Sequence, residues 1–286
     1  MVATMTSQLK TLLLLGLLSA LIIMLGSIMG GRTGLVIALG FALLMNLGSY
    51  WYSDKIVLSM YRARELAREE APYIHQTVGE LAAKAGIPMP RICIIPEEAP
   101  NAFATGRNPE HGVVAVTEGI VRLLSPEELR GVLAHEIGHI ANRDILIQTV
   151  AGVLGSAIVA IANMMQFAAI FGGRGNGQRG NPLALIVMAM LAPIAAALIQ
   201  MAISRSREYL ADTAGARLSG QPLALAGALN KLAAMNERVP MRNGKPATEQ
   251  MFIVSPLFSG GMTKLFSTHP NIRERIARLR AMAGTR

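Results

Sequence analysis

The stretch Val132-Leu133-Ala134-His135-Glu136-Ile137-Gly138-His139-Ile140 sets both the local fold and the chemistry of this chain. On an α-helix, residues four apart stand one above the other on the same face, so the imidazoles of His135 and His139 can grip one metal ion. Glu136 then reaches the water that the metal activates. Three side chains thus supply two ligands and a general base, and the spacing points to a zinc hydrolase.

The four-letter pattern is only moderately specific by itself, so its surroundings decide. Ser125-Pro126-Glu127-Glu128 precedes it, and Ser followed three residues later by Glu is a capping box with Pro at the first helical position. A helix is predicted to start there. Leu129, Val132, Leu133, Ile137 and Ile140 give it a broad apolar face, and Asn142-Arg143-Asp144 closes the segment in polar residues. The alternative is a buried helix whose histidines are satisfied by hydrogen bonds, but burying Glu136 beside them without a metal is costly.

Of 286 residues, 52% are hydrophobic and 16% charged, which is too apolar for an ordinary soluble enzyme of this size. Apolar runs at residues 9–29, 34–51, 145–171 and 183–203 each approach the ~20 residues that span a bilayer core, so four spans in two hairpins are expected. The first run is too long for a signal-peptide core and is followed at once, after Gly30-Gly31-Arg32-Thr33, by the second, so it reads as an anchor. Tyr50, Trp51 and Tyr52 resemble an interfacial aromatic belt. The expected organisation is a transmembrane hairpin at 1–52, a first catalytic part with the His-Glu-x-x-His helix at 53–144, a second hairpin at 145–203, and a second catalytic part at 204–286.

Four spans put both catalytic parts on one side of the membrane. The lone Cys93, in the strand-like Arg91-Ile92-Cys93-Ile94-Ile95, fits a reducing compartment and favours the cytoplasm. Charge in the short loops leans mildly the other way, with Arg32, Arg174 and Arg179 there against Lys10 before the first run. Residues 53–144 carry 10 basic and 13 acidic side chains, whereas residues 204–286 carry 13 basic and five acidic and so hold most of the net +9. Beside four spans, that basic surface suits anionic lipid headgroups better than nucleic acid, and no nucleic-acid partner is expected.

The rest of the chain reads as mainly α with a small β-sheet. Asp54 to Lys84 is predicted helical, ended by Pro88 and Pro90, and short strands are predicted at 91–96, 102–105 and 112–117. Asn101-Ala102-Phe103-Ala104 is the candidate for a sheet edge that pairs with an extended peptide, although an ordinary interior strand fits the same residues. The Gly-rich segment 172–181 is read as the turn of the second hairpin and not as a phosphate loop. Helices are predicted from 203 to about 219, from Pro222 to Met235, and from Pro270 to Met282.

A catalytic zinc needs a third protein ligand and an open position. Glu208 and Asp212, in Ser206-Arg207-Glu208-Tyr209-Leu210-Ala211-Asp212, share a helix face just after the fourth run. Glu208 can bind the metal, while Asp212 can accept the Nδ1 proton of a liganding histidine, His135 before His139, and fix its tautomer. The competing reading is a solvated acidic pair, although like charges four apart on a helix repel.

The order His135-Glu136-x-x-His139, then an apolar hairpin, then Glu208-x-x-x-Asp212, then His269-Pro270 with Arg275-Ile276 resembles the HtpX family of membrane zinc metallopeptidases, relatives of the CAAX prenyl endopeptidases. The resemblance extends over nearly the whole chain and includes Asn101-Ala102-Phe103-Ala104-Thr105-Gly106. It implies a gluzincin-like catalytic domain, one zinc ion per chain, and endoproteolysis of misfolded or damaged membrane proteins in stress-linked quality control. It also implies a bacterial inner-membrane location with the catalytic domain facing the cytoplasm, and His269 near the site, helping to stabilise the oxyanion. Arg205 and Arg207 are open alternatives for that last role. A prenyl-protein endopeptidase and a non-enzymatic membrane scaffold with a structural metal stand as the other readings of the chain. Independently of any family, His139 lies six residues before the third run and Glu208 five after the fourth, ~9 Å and ~7.5 Å of helix, so the metal is expected close to the membrane surface.

Overall fold

The computed structural model describes residues 2–171, 182–236, 238, 239, 241, 251–254 and 270–284. The chain divides into two compact units, one formed by Met1–Trp51 with Thr149–Ile203 and the other by Tyr52–Gln148 with Ser204–Arg286.

The first unit is helical and apolar outside as well as inside. Helix α1, Val2–Met60, is 59 residues long and unbroken through residues 30–33, so the turn expected there is not formed. Gly30-Gly31-Arg32-Thr33 contains no proline, and each glycine costs a helix only about 1 kcal/mol against alanine, which does not force a stop. Helices α5, Asp144–Phe171, and α6, Pro182–Ser219, follow. Small residues of both face inward, among them Ala157, Ala162, Ala189, Ala192 and Ala196, while Leu13, Leu17, Phe167, Leu183, Met190 and Leu198 are exposed. Small residues buried beside Leu18, Ile22, Leu25, Ile158 and Met165, with other large apolar side chains left exposed, fit helices that meet lipid. Gln200 Nε2 donates to the Ala151 carbonyl at 2.8 Å, and a Cβ at Gly155 would collide with the Gln200 amide, so that glycine makes room for the bond. Among the described residues, one helical stretch, Leu185–Ser219, is long and apolar enough to cross a membrane.

The second unit is built on a four-stranded mixed sheet. Strands β1, Arg64–Glu65, β2, Arg91–Ile95, β3, Ala102–Thr105, and β4, Val113–Thr117, lie in the order β1-β2-β4-β3, with β2 and β4 parallel and the other pairs antiparallel. The period-2 alternation of β2 sends Ile92 to one face and Cys93 and Ile95 to the other. The first face packs on helices α2, Pro72–Ala85, α3, Glu118–Leu123, α4, Pro126–Ala141, and α7, Pro222–Asn236, and on the Ile276 and Leu279 side of α8, Ile272–Gly284. The second face packs on Val57, Tyr61 and Phe252.

The helix expected over Asp54 to Lys84 is instead the end of α1, then β1, then α2. Two local features break it: Arg62 adopts a left-handed φ of 50°, and Pro72 sits in the first turn of α2, displacing the residue before it from helical geometry. Strand β3 is last in the sheet order, and its outer side is met at Phe103 by an antiparallel bridge from Phe252.

Candidate metal centre

Helix α4 begins at the capping box read from the sequence: the Ser125 hydroxyl accepts from the Glu128 amide, and Glu128 Oε2 accepts from the Ser125 amide at 2.9 Å. That fixed start sets the helix phase, and His135, Glu136 and His139 all fall on buried positions. Helix α6 crosses α4 closely because both helices carry glycine at the contact. A Cβ on Gly215 would lie 2.9 Å from the His135 amide nitrogen, and one on Gly138 3.0 Å from the Ala214 Cβ. The crossing carries Glu208 and Asp212 over the two histidines.

Nε2 of His135 and Nε2 of His139 are 3.2 Å apart, Glu208 Oε1 lies 3.4 Å from His139 Nε2, and Glu208 Oε2 lies 3.7 Å from His135 Nε2. Zinc held at 2.0–2.1 Å by each donor in a tetrahedron sets donors about 3.3–3.4 Å apart, and the observed separations bracket that edge. Charge points the same way. With Glu136 ionised, as a general base requires, the buried carboxylates of Glu136, Asp144, Glu208 and Asp212 exceed the two buried guanidinium groups, Arg207 and Arg275, by two charges. A divalent cation meets them. The donor set therefore fits a metal of zinc type.

The groups behind the ligands form two parallel arms. His135 Nδ1 lies 3.1 Å from Asp212 Oδ1, off the straight line of a good hydrogen bond. Asp212 is gripped by Arg275, whose Nε donates to Oδ2 at 2.8 Å and whose Nη2 donates to Oδ1 at 2.7 Å. The same guanidinium reaches Glu208 Oε2 at 2.9 Å and the Ile253 carbonyl at 2.8 Å. On the other arm, His139 Nδ1 faces Asp144 Oδ2 at 3.2 Å, and Asp144 Oδ1 accepts from Arg207 at 2.8 Å. Sequence reasoning placed Asp212 beside His135 but gave no role to Asp144 or Arg275. The available signal was scarcity: the chain has three aspartates, and Asp144 stands at the threshold of an apolar run.

Burial dominates the ionisation of these groups. It pushes Glu136 up to about 8, with only partial relief from His139 and Arg275. Neither Glu136 oxygen has a well-formed hydrogen bond, and the nearby Ala104 amide of β3 offsets the shift weakly. Burial also lowers His135. It opposes ionisation of Asp212, yet Arg275 and His135 hold that carboxyl below its usual range. His139 is the exception: burial favours its neutral form, but Asp144 and Glu208 raise it well above 6.5. A proton there answers the same excess of negative charge that a metal would.

Of the candidate substrate residues, Asn101 and Ala102 are already engaged, Asn101 Nδ2 donating to the Val254 carbonyl at 2.8 Å and the Ile253 amide to the Ala102 carbonyl at 3.0 Å. Phe103 packs against Tyr61 and Phe252. Ala104 is the part of β3 beside Glu136. His269 lies outside the described residues. Arg207, one of the alternatives to it, is committed to Asp144.

Residues 68–283 match the family model described as peptidase family M48. The chain belongs to that family. Among the relatives of this M48 peptidase, the protease HtpX homolog of Syntrophobacter fumaroxidans is 55% identical over 282 residues, covering 97% of this chain and 100% of the relative. That of Burkholderia multivorans is 54% identical over 284 residues, covering 98% and 99%. The resemblance read from the motifs is borne out. The crystal structure of S. mikatae Ste24p superposes with a TM-score of 0.58 at 20% identity, covering 97% of this chain and 66% of that one, and shows a shared fold. M48 peptidases are metal-dependent proteases, so the family and the cluster of His135, His139 and Glu208 agree on a metal.

Proposed function

We propose that the chain is a zinc-dependent membrane endopeptidase that cleaves misfolded or damaged membrane proteins in quality control, with His135, His139 and Glu208 as ligands and Glu136 as general base. The observation that carries this reading is the buried Glu136 carboxylate, lacking a well-formed hydrogen bond, next to three donors at metal-binding separations. A bound zinc would polarise the scissile carbonyl and acidify the attacking water. Glu136 takes the proton from that water and passes it to the leaving amine. Asp212 and Asp144 hold protons on Nδ1 of the two histidines, leaving each Nε2 lone pair for the metal. Arg275 balances Glu208 and Asp212. The Ala104 end of β3 supplies the edge along which an extended substrate pairs, and His269 assists the oxyanion.

Chain order constrains the proposed membrane topology. Tyr52–Gln148 and Ser204–Arg286 fold into one unit, so residues 149–203 between them cross a bilayer an even number of times. If α6 crosses, α5 crosses too. We place the peptidase unit in the cytoplasm, α5 and α6 in the inner membrane of a bacterium, and the runs of α1 as the remaining anchor. Substrates are then chains at, or emerging from, the bilayer.

The test is proteolysis by the detergent-solubilised chain. Cleavage of an unfolded polypeptide that requires zinc, stops with chelator and is lost in Glu136→Gln supports the reading; cleavage surviving in Glu136→Gln sinks it. A prenylated peptide offered alongside is expected to stay intact.

A further inference from the structure

The His139 arm of the site contains a device that the helical motif cannot supply by itself. On a continuous helix Asp144, five residues on, would stand about 140° around the axis from His139. A two-residue break brings it back. Helix α4 ends at Asn142, whose amide returns to the Gly138 carbonyl, and Arg143 takes a φ of 57°, a left-handed conformation that side-chain-bearing residues rarely adopt. Such a conformation persists where the surrounding structure demands it. Asp144 then opens α5, where the helix dipole favours a carboxylate, with one oxygen 3.2 Å from His139 Nδ1 and the other bonded to Arg207 at 2.8 Å. All three are at least nine-tenths buried. Arg207 immediately precedes Glu208 on α6, so the guanidinium that anchors Asp144 also fixes the rotation of the helix that presents the third donor.

We propose that Asp144 and Arg207 are a positioning pair for the metal: Asp144 holds His139 in the Nδ1-protonated tautomer, and Arg207 locks Asp144 to the helix turn that carries Glu208. This rests on the metallopeptidase reading and extends it to two residues outside the ligand set. One bond sets two of the three donors, so losing the pair weakens the metal without removing a ligand. Carboxylates behind liganding histidines typically change metal affinity 10-fold to 100-fold when replaced.

The experiment measures zinc affinity of the full chain in detergent, by competition against a chromophoric chelator, together with thermal unfolding of the metal-free form. Asp144→Asn alone takes a counter-charge from the buried Arg207, so the paired variant Asp144→Asn with Arg207→Gln is made beside it. The expected result is a metal-free melting temperature for the paired variant close to wild type, with zinc affinity down roughly 10-fold to 100-fold. The paired variant is also expected to bind no more weakly than the weaker single variant, because both singles break one chain of contacts. Wild-type affinity in the paired variant overturns the inference while leaving the peptidase reading intact. A wild type that binds no zinc overturns the peptidase reading instead.

Discussion

Burial of Glu136 ties the stability of the second unit to pH. The pKa of that carboxyl stands at about 8 against an ordinary 4.5, so the native state keeps a proton that the unfolded chain gives up earlier. Stability from this group is therefore full below about pH 4.5 and is lost progressively as pH rises toward about 8. Glu136→Gln removes that slope. Its metal-free form is expected to melt above wild type by a margin that widens between about pH 5 and about pH 8, while zinc-dependent proteolysis falls by roughly 10²–10⁴-fold. A margin independent of pH would contradict the buried carboxylate. Arg275→Gln is expected to destabilise the unit by about 3–5 kcal/mol in chemical denaturation, since it strands Asp212 and Glu208 in the interior. At this scale the sequence was legible wherever chemistry follows helical spacing. His135, Glu136, His139, Glu208 and Asp212 announce themselves at i, i+1 and i+4, and the structure brings all five together. Asp144 and Arg275 do not, because the first depends on a left-handed residue and the second reaches its partner across 63 positions of chain.

Among the elements, the α4–α6 crossing decides whether the donors meet. Gly215→Ala adds a Cβ 2.9 Å from the His135 amide nitrogen and 3.0 Å from its Cα, so the helices must part. The expected cost is about 1–3 kcal/mol of stability, with weaker zinc binding measured by the same competition. Unchanged affinity in that variant would show that the crossing has slack. Strands β2, β3 and β4 were legible to within a residue because short β-branched and apolar runs between turn residues leave little choice. Strand β1, two residues long, was not; its pairing with β2 is a tertiary event. The start of α2 was readable from Pro72, but the charged helical pattern around it hid the signal. The unbroken α1 shows the converse error, in which two glycines were given more weight as a stop than their helix penalty supports.

For the whole molecule, composition led to the expectation of a membrane protein with four spans. One described stretch, Leu185–Ser219, meets the length and apolarity of a span. Topology is tested with a periplasm-dependent enzyme reporter. Fused after residue 176, between α5 and α6, it is expected to be active, and fused after residue 140 it is expected to be silent; equal signals would refute paired crossings. Metal linkage gives a second check. Zinc at about 100 times its dissociation constant should stabilise the peptidase unit by about 2.7 kcal/mol, reversed by chelator.

The division of the second unit into Tyr52–Gln148 and Ser204–Arg286 also has a consequence for biosynthesis. The ribosome makes His135 and His139 first, then α5 and most of α6, and only afterwards Glu208 and Arg275. A nascent chain carrying the base and two imidazoles has neither the third donor nor the arginine that steadies it. The donor set is completed only after the apolar helices between its two halves have been made, so a half-synthesised copy has no complete metal site.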